Sequence, residues 1–171
     1  MEEEEYNPQF EFGECCKYCD EDTGIEIFKN FDVDPCLMDE NGTSPLHACA
    51  ANGLMRLLEL IVAKPGVNLN VQNPSGNTPL HFAAINRNSR VIKLLVESGA
   101  DPKIRNSKGK SPLYHAVDQL GNKPSKAESE AVDLLIGPDS EIPEPITGAD
   151  ATDSLNDDVQ EVVDETPATT E

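Results

Sequence analysis

The chain contains no tryptophan, and aromatic residues make up only 5 % of its 171 residues. Its apolar share is 37 %, so a buried interior must be built mainly from Leu, Ile, Val and Ala side chains. A core of this kind suits packed short helices better than a β-sandwich. The length leaves room for one domain of ordinary size, or for a smaller domain with tails.

Long apolar runs are also missing, since no stretch approaches the roughly 18 to 20 apolar residues of a membrane span. The N-terminus opens with acidic residues 2–5 instead of a basic and then apolar signal region. We therefore expect a soluble protein that is neither secreted nor bound to a membrane. The number of cysteines, five, is odd, and their spacing is not that of a disulfide framework. This indicates free thiols, and hence a protein of the cytoplasm, the nucleus or both.

Positive charge is scarce, with 13 Lys and Arg residues against 32 Asp and Glu, and the deficit is uneven. Residues 1–40 carry a net charge of −12, residues 41–137 carry +4, and residues 138–171 carry −11. Whole-chain acidity argues against nucleic-acid binding, because affinity for phosphate needs clustered Lys and Arg. We expect no nucleic-acid partner, and only the mildly basic middle keeps that alternative open.

An internal repeat organises this middle segment. The block Gly42-Thr-Ser-Pro-Leu-His-Ala-Cys-Ala-Ala-Asn-Gly53 recurs as Gly76-Asn-Thr-Pro-Leu-His-Phe-Ala-Ala-Ile-Asn-Arg87, and more loosely as Gly109-Lys-Ser-Pro-Leu-Tyr-His-Ala-Val-Asp118. The steps between the first glycines are 34 and 33 residues. A fixed period of this size is typical of repeat proteins whose units stack to bury a continuous core.

Each repeat block predicts the start of a helix. A serine or threonine suited to the N-cap precedes a proline suited to the first helical position, and these prolines are Pro45, Pro79 and Pro112. A second apolar-periodic segment follows, as in residues 57–62 and 91–95. Glycine-rich and asparagine-rich stretches at 71–76 and 104–109 then predict hairpin-like loops that project between helix pairs.

The motif G-x-T-P-L-H-x-A-A at this step resembles the ankyrin repeat, and the resemblance covers residues 12–137. It implies an all-α solenoid of stacked helix-turn-helix units with projecting loops. We expect a degenerate cap over 12–40, in which Ile25–Pro35 resembles the second helix of a repeat, and repeats over about 41–73, 75–106 and 108–137. The resemblance leaves an acidic N-terminal arm over 1–11 and a disordered acidic tail over 138–171.

The third repeat departs from the pattern in two ways. Tyr114 stands where the other units have histidine, and the second helix lies about seven residues further from the unit's proline than in the second repeat. We interpret the difference as an inserted loop over Leu120–Lys126 between the two helices of the last pair.

Two groups of residues invite a chemical interpretation. Cys16-x-x-Cys19 with Cys36, Cys49 and His47 faintly resembles a zinc ribbon, but a second ligand pair is missing, and the repeat register favours buried free cysteines. His47 and His81 correspond to the T-P-L-H histidines, whose implied role is to hydrogen-bond a loop to a helix start. We therefore expect no catalytic residue, no metal, no cofactor and no enzymatic activity.

Ankyrin proteins generally bind partners through projecting loops and the adjacent concave helix surface, so basic residues near the third loop are candidates for partner contact. The candidates are Arg87, Arg90, Lys103, Arg105, Lys108 and Lys110. The alternative is that these charged residues only keep the loop soluble and bind no partner. The same residues are a hypothetical docking site for the chain's own acidic tail, in which residues 154–163 have an amphipathic helical pattern.

The leading functional prediction is a monomeric adaptor or scaffold that presents a rigid surface to protein partners, which include basic ones. The alternative is a chaperone or escort of a basic client such as a ribosomal protein or histone, in which the acidic ends neutralise positive charge. Few repeats followed by an acidic tail is an architecture similar to that of a small fungal ankyrin chaperone of a ribosomal protein.

Overall fold

The computed structural model describes residues 6–118 and 125–136. Within these ranges the chain forms helices joined by turns and loops, with no strand. The helices are α1 (Pro8–Lys17), α2 (Glu21–Asn30), α3 (Pro45–Asn52), α4 (Met55–Ala63), α5 (Pro79–Ile85), α6 (Ser89–Glu97), α7 (Pro112–Asp118) and α8 (Lys126–Ile136). The expected all-α architecture is confirmed.

The helices form four successive pairs that stack in two layers. The inner layer consists of α1, α3, α5 and α7, each in contact with the next, and the outer layer of α2, α4, α6 and α8 is stacked in the same way. Each unit contacts mainly its sequence neighbours, which is the defining property of a solenoid. None of the helices in the described residues is long and apolar enough to cross a membrane.

The three predicted starts of the inner helices are confirmed. Helices α3, α5 and α7 begin at Pro45, Pro79 and Pro112, directly after Ser44, Thr78 and Ser111. A proline has no N–H to leave unpaired at this position, and its fixed φ angle suits the helix. The Ser111 hydroxyl accepts a hydrogen bond from the backbone N–H of Tyr114, at 3.3 Å.

The N-terminal cap begins earlier than the sequence interpretation placed it. Helix α1 starts at Pro8, inside the segment 1–11 assigned to an acidic arm, because the Asn7 side chain accepts hydrogen bonds from the backbone N–H groups of the first turn. The cap 12–40 is therefore extended to Pro8. Residues 1–5 and the tail 138–171 lie outside the described residues.

The core is aliphatic, as the composition required. Leu57, Leu58 and Ile61 from α4 are fully buried, and the buried Val91, Ile92 and Leu95 of α6 take the corresponding places in the next unit. Burying one such side chain contributes about 1.5–3 kcal/mol. Because these residues pack between units as well as within them, no helix pair could bury its own apolar face alone.

Asparagine side chains join the ends of the inner helices to the following unit. The Asn52 amide donates to the carbonyl oxygens of Cys16 and Lys17 at the end of α1, at 2.9 and 3.2 Å. The Asn88 amide donates to the carbonyls of Ala50 and Ala51 in α3, at 3.0 and 2.7 Å. Carbonyls at a helix C-terminus have no partner within the helix, so the second and third helix pairs supply hydrogen-bond donors to the carbonyls of the pair before them.

The last pair has a longer connection than its predecessors. Helix α7 ends at Asp118 and α8 begins at Lys126, whereas α5 and α6 are separated by residues 86–88 only. The inserted loop 120–126 was predicted at this place, and residues 119–124 lie outside the described ranges. Lys126, which was assigned to the loop, is instead the first residue of α8. A capping box between Ser125 and Glu128 fixes this helix start.

Candidate functional site

Three loops connect the helix pairs, and we call them the first (31–44), second (64–78) and third (98–111) finger loops. Their tips share one construction: the side-chain oxygen of Asp39, Asn73 or Asn106 accepts the backbone N–H groups two and four residues ahead. A glycine with φ between 71° and 73° closes each turn, a conformation that favours glycine. The three tips therefore have the same shape with different side chains.

The histidines of the repeat motif join the finger loops to the inner helices. The His81 ring is fully buried; its Nδ1 accepts the Thr78 backbone N–H at 3.1 Å, and its Nε2 lies 3.0 Å from the Lys110 carbonyl oxygen. Because Nδ1 accepts, the proton is on Nε2, which donates to that carbonyl. His47 makes the equivalent bonds to Ser44 and to the Asn77 carbonyl. The role implied by the resemblance is confirmed.

Burial lowers the pKa of both histidines below the ordinary value, since a buried ring is stabilised in its neutral form. Both ring nitrogens of each histidine are engaged with the backbone. Neither of these two rings has a free nitrogen, so the arrangement stabilises the loops.

Adjacent finger loops also contact each other. The Asn106 amide donates to the Asn77 side-chain oxygen at 2.9 Å, and the Ser107 N–H donates to the Ser75 carbonyl at 3.0 Å. A side chain at Gly76 would place its Cβ 2.9 Å from the Ser107 nitrogen. The second and third finger loops are thus packed backbone to backbone, which makes the row of loops a rigid surface.

Charge changes sign along this row. The first finger loop has four acidic residues and no basic one, the second has Lys64 alone, and the third has four basic residues and one acidic residue. Since the loop backbones repeat, the difference between one end of the row and the other is mainly electrostatic. Opposite charges therefore lie at the two ends of the row.

Four of the six candidate residues lie together on the third finger loop. Lys103 and Lys108 are exposed, and neither side chain is paired in the described residues. The Arg105 guanidinium donates to the Gly109 carbonyl at 2.8 Å, and the Lys110 ammonium lies over the Tyr114 ring, 4.3 Å from its centroid. The structure therefore brings these four residues into one basic patch.

Arg87 and Arg90 lie elsewhere. They are at the turn from α5 to α6, at the opposite end of α5 from the finger loops, and a helix of seven residues spans about 10 Å. Arg87 is ion-paired with Glu128 of α8. The pKa of Glu128 is lowered to about 2, first by the Ser125 backbone N–H and also by Arg87. The charge of Arg87 thus links the last two helix pairs.

The cysteines do not form a metal site. Cys15, Cys16 and Cys49 are free and buried, as the register indicated, while Cys19 is exposed and Cys36 is partly buried. The Cys16 thiol and burial raise the pKa of Cys49. In residues 6–118 and 125–136, no group of three or more His, Cys, Asp or Glu side chains has the geometry to hold a metal ion.

One surface feature was missed by the sequence interpretation. A groove of about 220 Å³ lies between α1 and the first finger loop, and Phe10, Leu37 and Met38 are among its lining residues. Only the helix that forms one of its walls had a local signal, because Asn7-Pro8 is a cap followed by a proline, like Ser44-Pro45. It was overlooked because residues 1–11 were assigned to an acidic arm.

Comparison with known proteins agrees with this geometry. A family model described as ankyrin repeats (3 copies) matches residues 14–106 and 46–145. The chain is also similar to the ankyrin repeat-containing protein P16F5.05c of Schizosaccharomyces pombe (strain 972 / ATCC 24843), with 46 % identity over 104 residues, which are 59 % of this chain and 70 % of the relative. Ankyrin repeats are protein–protein interaction modules and typically not catalytic. The chain belongs to the ankyrin-repeat family.

Proposed function

We propose that the protein is a non-catalytic adaptor that binds a partner protein along the row of finger loops and the exposed side of the inner helices. The observation that carries the proposal is that three loops share one backbone geometry while each has a different net charge. A surface of fixed shape and variable side chains suits recognition, because its specificity depends on exposed groups that do not support the fold.

The rigidity of the row favours binding. Hydrogen bonds from His47 and His81 attach the second and third loops to the inner helices, and Asn106 joins the third loop to the second. Loops that are already ordered lose little conformational entropy when a partner binds. The surface is therefore organised before contact.

The acidic first finger loop favours a second candidate function, the escort of a basic client. Asp32, Asp34, Asp39 and Glu40 follow one another closely along this loop, and they would attract a lysine-rich or arginine-rich segment. The two functions differ in their response to salt. Escort of a basic client should weaken steeply as ionic strength rises, whereas an apolar contact of an adaptor should change little.

Site-specific photocrosslinking tests the proposed surface. We would place a photoreactive amino acid at Ser75 or Ser107, on the tips of the second and third finger loops, and separately at Glu59 or Lys93, on the outer helices. All four positions are exposed, so the label should leave the fold intact. Irradiation in a cell extract should give partner adducts from the two tip positions.

The outer-helix labels are the matched control. Adducts of the same partner from all four positions would indicate nonspecific contact, and adducts from Glu59 and Lys93 alone would show that the partner binds the opposite face. Either pattern would contradict the proposal. Repeating the labelling over a salt series then separates the adaptor from the escort of a basic client.

A further inference from the structure

The groove between α1 and the first finger loop has an apolar lining at its exposed edge. Phe10 is 68 % exposed and Leu37 is 54 % exposed, and both line the same concavity. Gly13, Pro45 and Ala48 contribute further apolar surface inside. Exposed apolar groups around a concavity indicate a binding site more strongly than the same groups scattered singly.

The walls of the groove are held in place by polar contacts. The Gln9 amide donates to the Asp34 carbonyl at 2.9 Å, and its oxygen accepts the Asp34 N–H at 2.7 Å, so α1 is paired with the finger-loop backbone. The Lys17 ammonium lies 2.9 Å from Glu14 and 2.8 Å from Asp39. The two walls are thereby joined near both ends of α1.

The size of the groove limits what it can hold. Its volume of about 220 Å³ is below the roughly 300–1,000 Å³ of sites for drug-sized ligands and cofactors. It is adequate for one large side chain of a partner, with the rest of the partner lying across the adjacent finger loops.

The charge around the groove determines which residues are favoured next to that side chain in the partner segment. Glu14 and Asp39 line it, and Asp34 and Glu40 adjoin them on the first finger loop, while Lys17 is the one cation among the lining residues and is paired to both lining carboxylates. The net charge of these residues is therefore negative. A partner segment that approaches this place is therefore favoured if it carries positive charge.

We propose that the groove binds a segment of a partner protein that inserts one large apolar side chain flanked by lysine or arginine residues. The proposal rests on the protein-binding function proposed above and specifies the partner chemistry at one end of that surface. The apolar side chain provides the anchor, since burial of a leucine-sized group alone accounts for about tenfold or more in affinity. The flanking charges provide orientation and salt dependence.

Selection from a phage-displayed library of random short peptides, on the full chain, tests the proposal. Recovered peptides should contain a large apolar residue next to Lys or Arg. Synthetic fluorescent copies of these peptides should bind the Gly13→Leu variant at least about tenfold more weakly than they bind the unsubstituted protein. This change fills the groove without removing a contact, because nothing lies within 4 Å of a Cβ at Gly13, and leucine favours the helix more than glycine does.

Two further variants separate the apolar and charged contributions. Phe10→Ser should weaken binding, whereas the matched control Tyr18→Ser should not, because Tyr18 caps the C-terminus of the same helix and is 78 % exposed but does not line the groove. Glu40→Lys should weaken binding and reduce its salt dependence. Thermal unfolding checks that each variant is folded.

Several outcomes would overturn the proposal. These are recovery of no peptides, recovery of acidic peptides, or peptides whose affinity is unchanged by Gly13→Leu. Self-association that Gly13→Leu abolishes would assign the groove to a second copy of the chain and would also overturn it. If Lys108→Glu on the third finger loop reduces partner capture while Gly13→Leu does not, the groove proposal fails and the broader binding surface stands.

Discussion

Replacement of His81 by leucine should destabilise the protein and should do so mainly in its last unit. The ring accepts the Thr78 N–H and donates to the Lys110 carbonyl, which belongs to the third finger loop. Leucine fills much of the same buried space but makes neither bond. The substitution therefore removes the hydrogen bonds with only a modest loss of volume.

The structure gives the magnitude. The Lys110 carbonyl keeps its bond from the Asn106 N–H at 2.9 Å, so its loss is that of one ordinary hydrogen bond, about 0.5–1.5 kcal/mol. The Thr78 N–H loses its acceptor and stays buried, which costs about 1–3 kcal/mol. We expect a fall of about 2–4 kcal/mol in the free energy of unfolding, a large part of the 5–15 kcal/mol typical of domains.

Urea unfolding followed by far-ultraviolet circular dichroism measures the total effect. Hydrogen exchange locates it: amides of the third finger loop and α7 should exchange faster, while those of α3 and α4 should change little, because units of a solenoid are coupled to their neighbours. The control is Tyr114→Leu at the equivalent place in the last unit, where no further finger loop follows in the described residues. It should cost roughly 1 kcal/mol or less.

An unfolding free energy within about 0.5 kcal/mol of the wild-type value for His81→Leu would show that these hydrogen bonds contribute little. Uniform acceleration of exchange over the whole chain would refute the local reasoning as well. In that case the units would unfold as one, and the histidine would not have the particular role of attaching the third finger loop.

Other consequences follow from the same contacts. Because burial lowers the pKa of His47 and His81, the unfolded state binds more protons than the folded state below about pH 6.5. The contribution of these histidines to stability should therefore be full above that pH and should fall on acidification. Urea titrations at several pH values should show a shallower fall for the variant with leucine at both positions. Gly76→Ala should lower the melting temperature more than Gly66→Ala, since both glycines have positive φ but only a Cβ at Gly76 meets the third finger loop. Leu58→Ala, in the core, should cost about 2–5 kcal/mol in chemical denaturation.

Much of the fold was predictable because its signals are local. A cap residue followed by proline fixes a helix start within a few residues, and the periods of 34 and 33 residues identify the stacked units. The roles of His47 and His81 were predictable for the same reason, since they recur at a fixed place in the motif. The start of α1 at Pro8 carried the same local signal and was missed because its surroundings are acidic.

The candidate site was predictable only in part. Sequence position alone grouped Arg87 with Lys103 and Lys108, but a charge count does not show which end of a helix a residue occupies. The structure places Arg87 beyond the far end of α5, paired with Glu128, which lies 41 residues ahead in the chain.

The sequence by itself determined the repeat, the starts of the inner helices α3, α5 and α7, the finger loops and the sign of charge along the chain, because each depends on neighbouring residues or on a fixed period. Only the tertiary structure decided which of those charges share a surface. It also created the groove, whose walls at Phe10 and Leu37 belong to separate elements joined by the contact between Gln9 and Asp34. Packing brings Phe10 and Leu37 together, and no local pattern in the sequence indicates that these two residues are close in space.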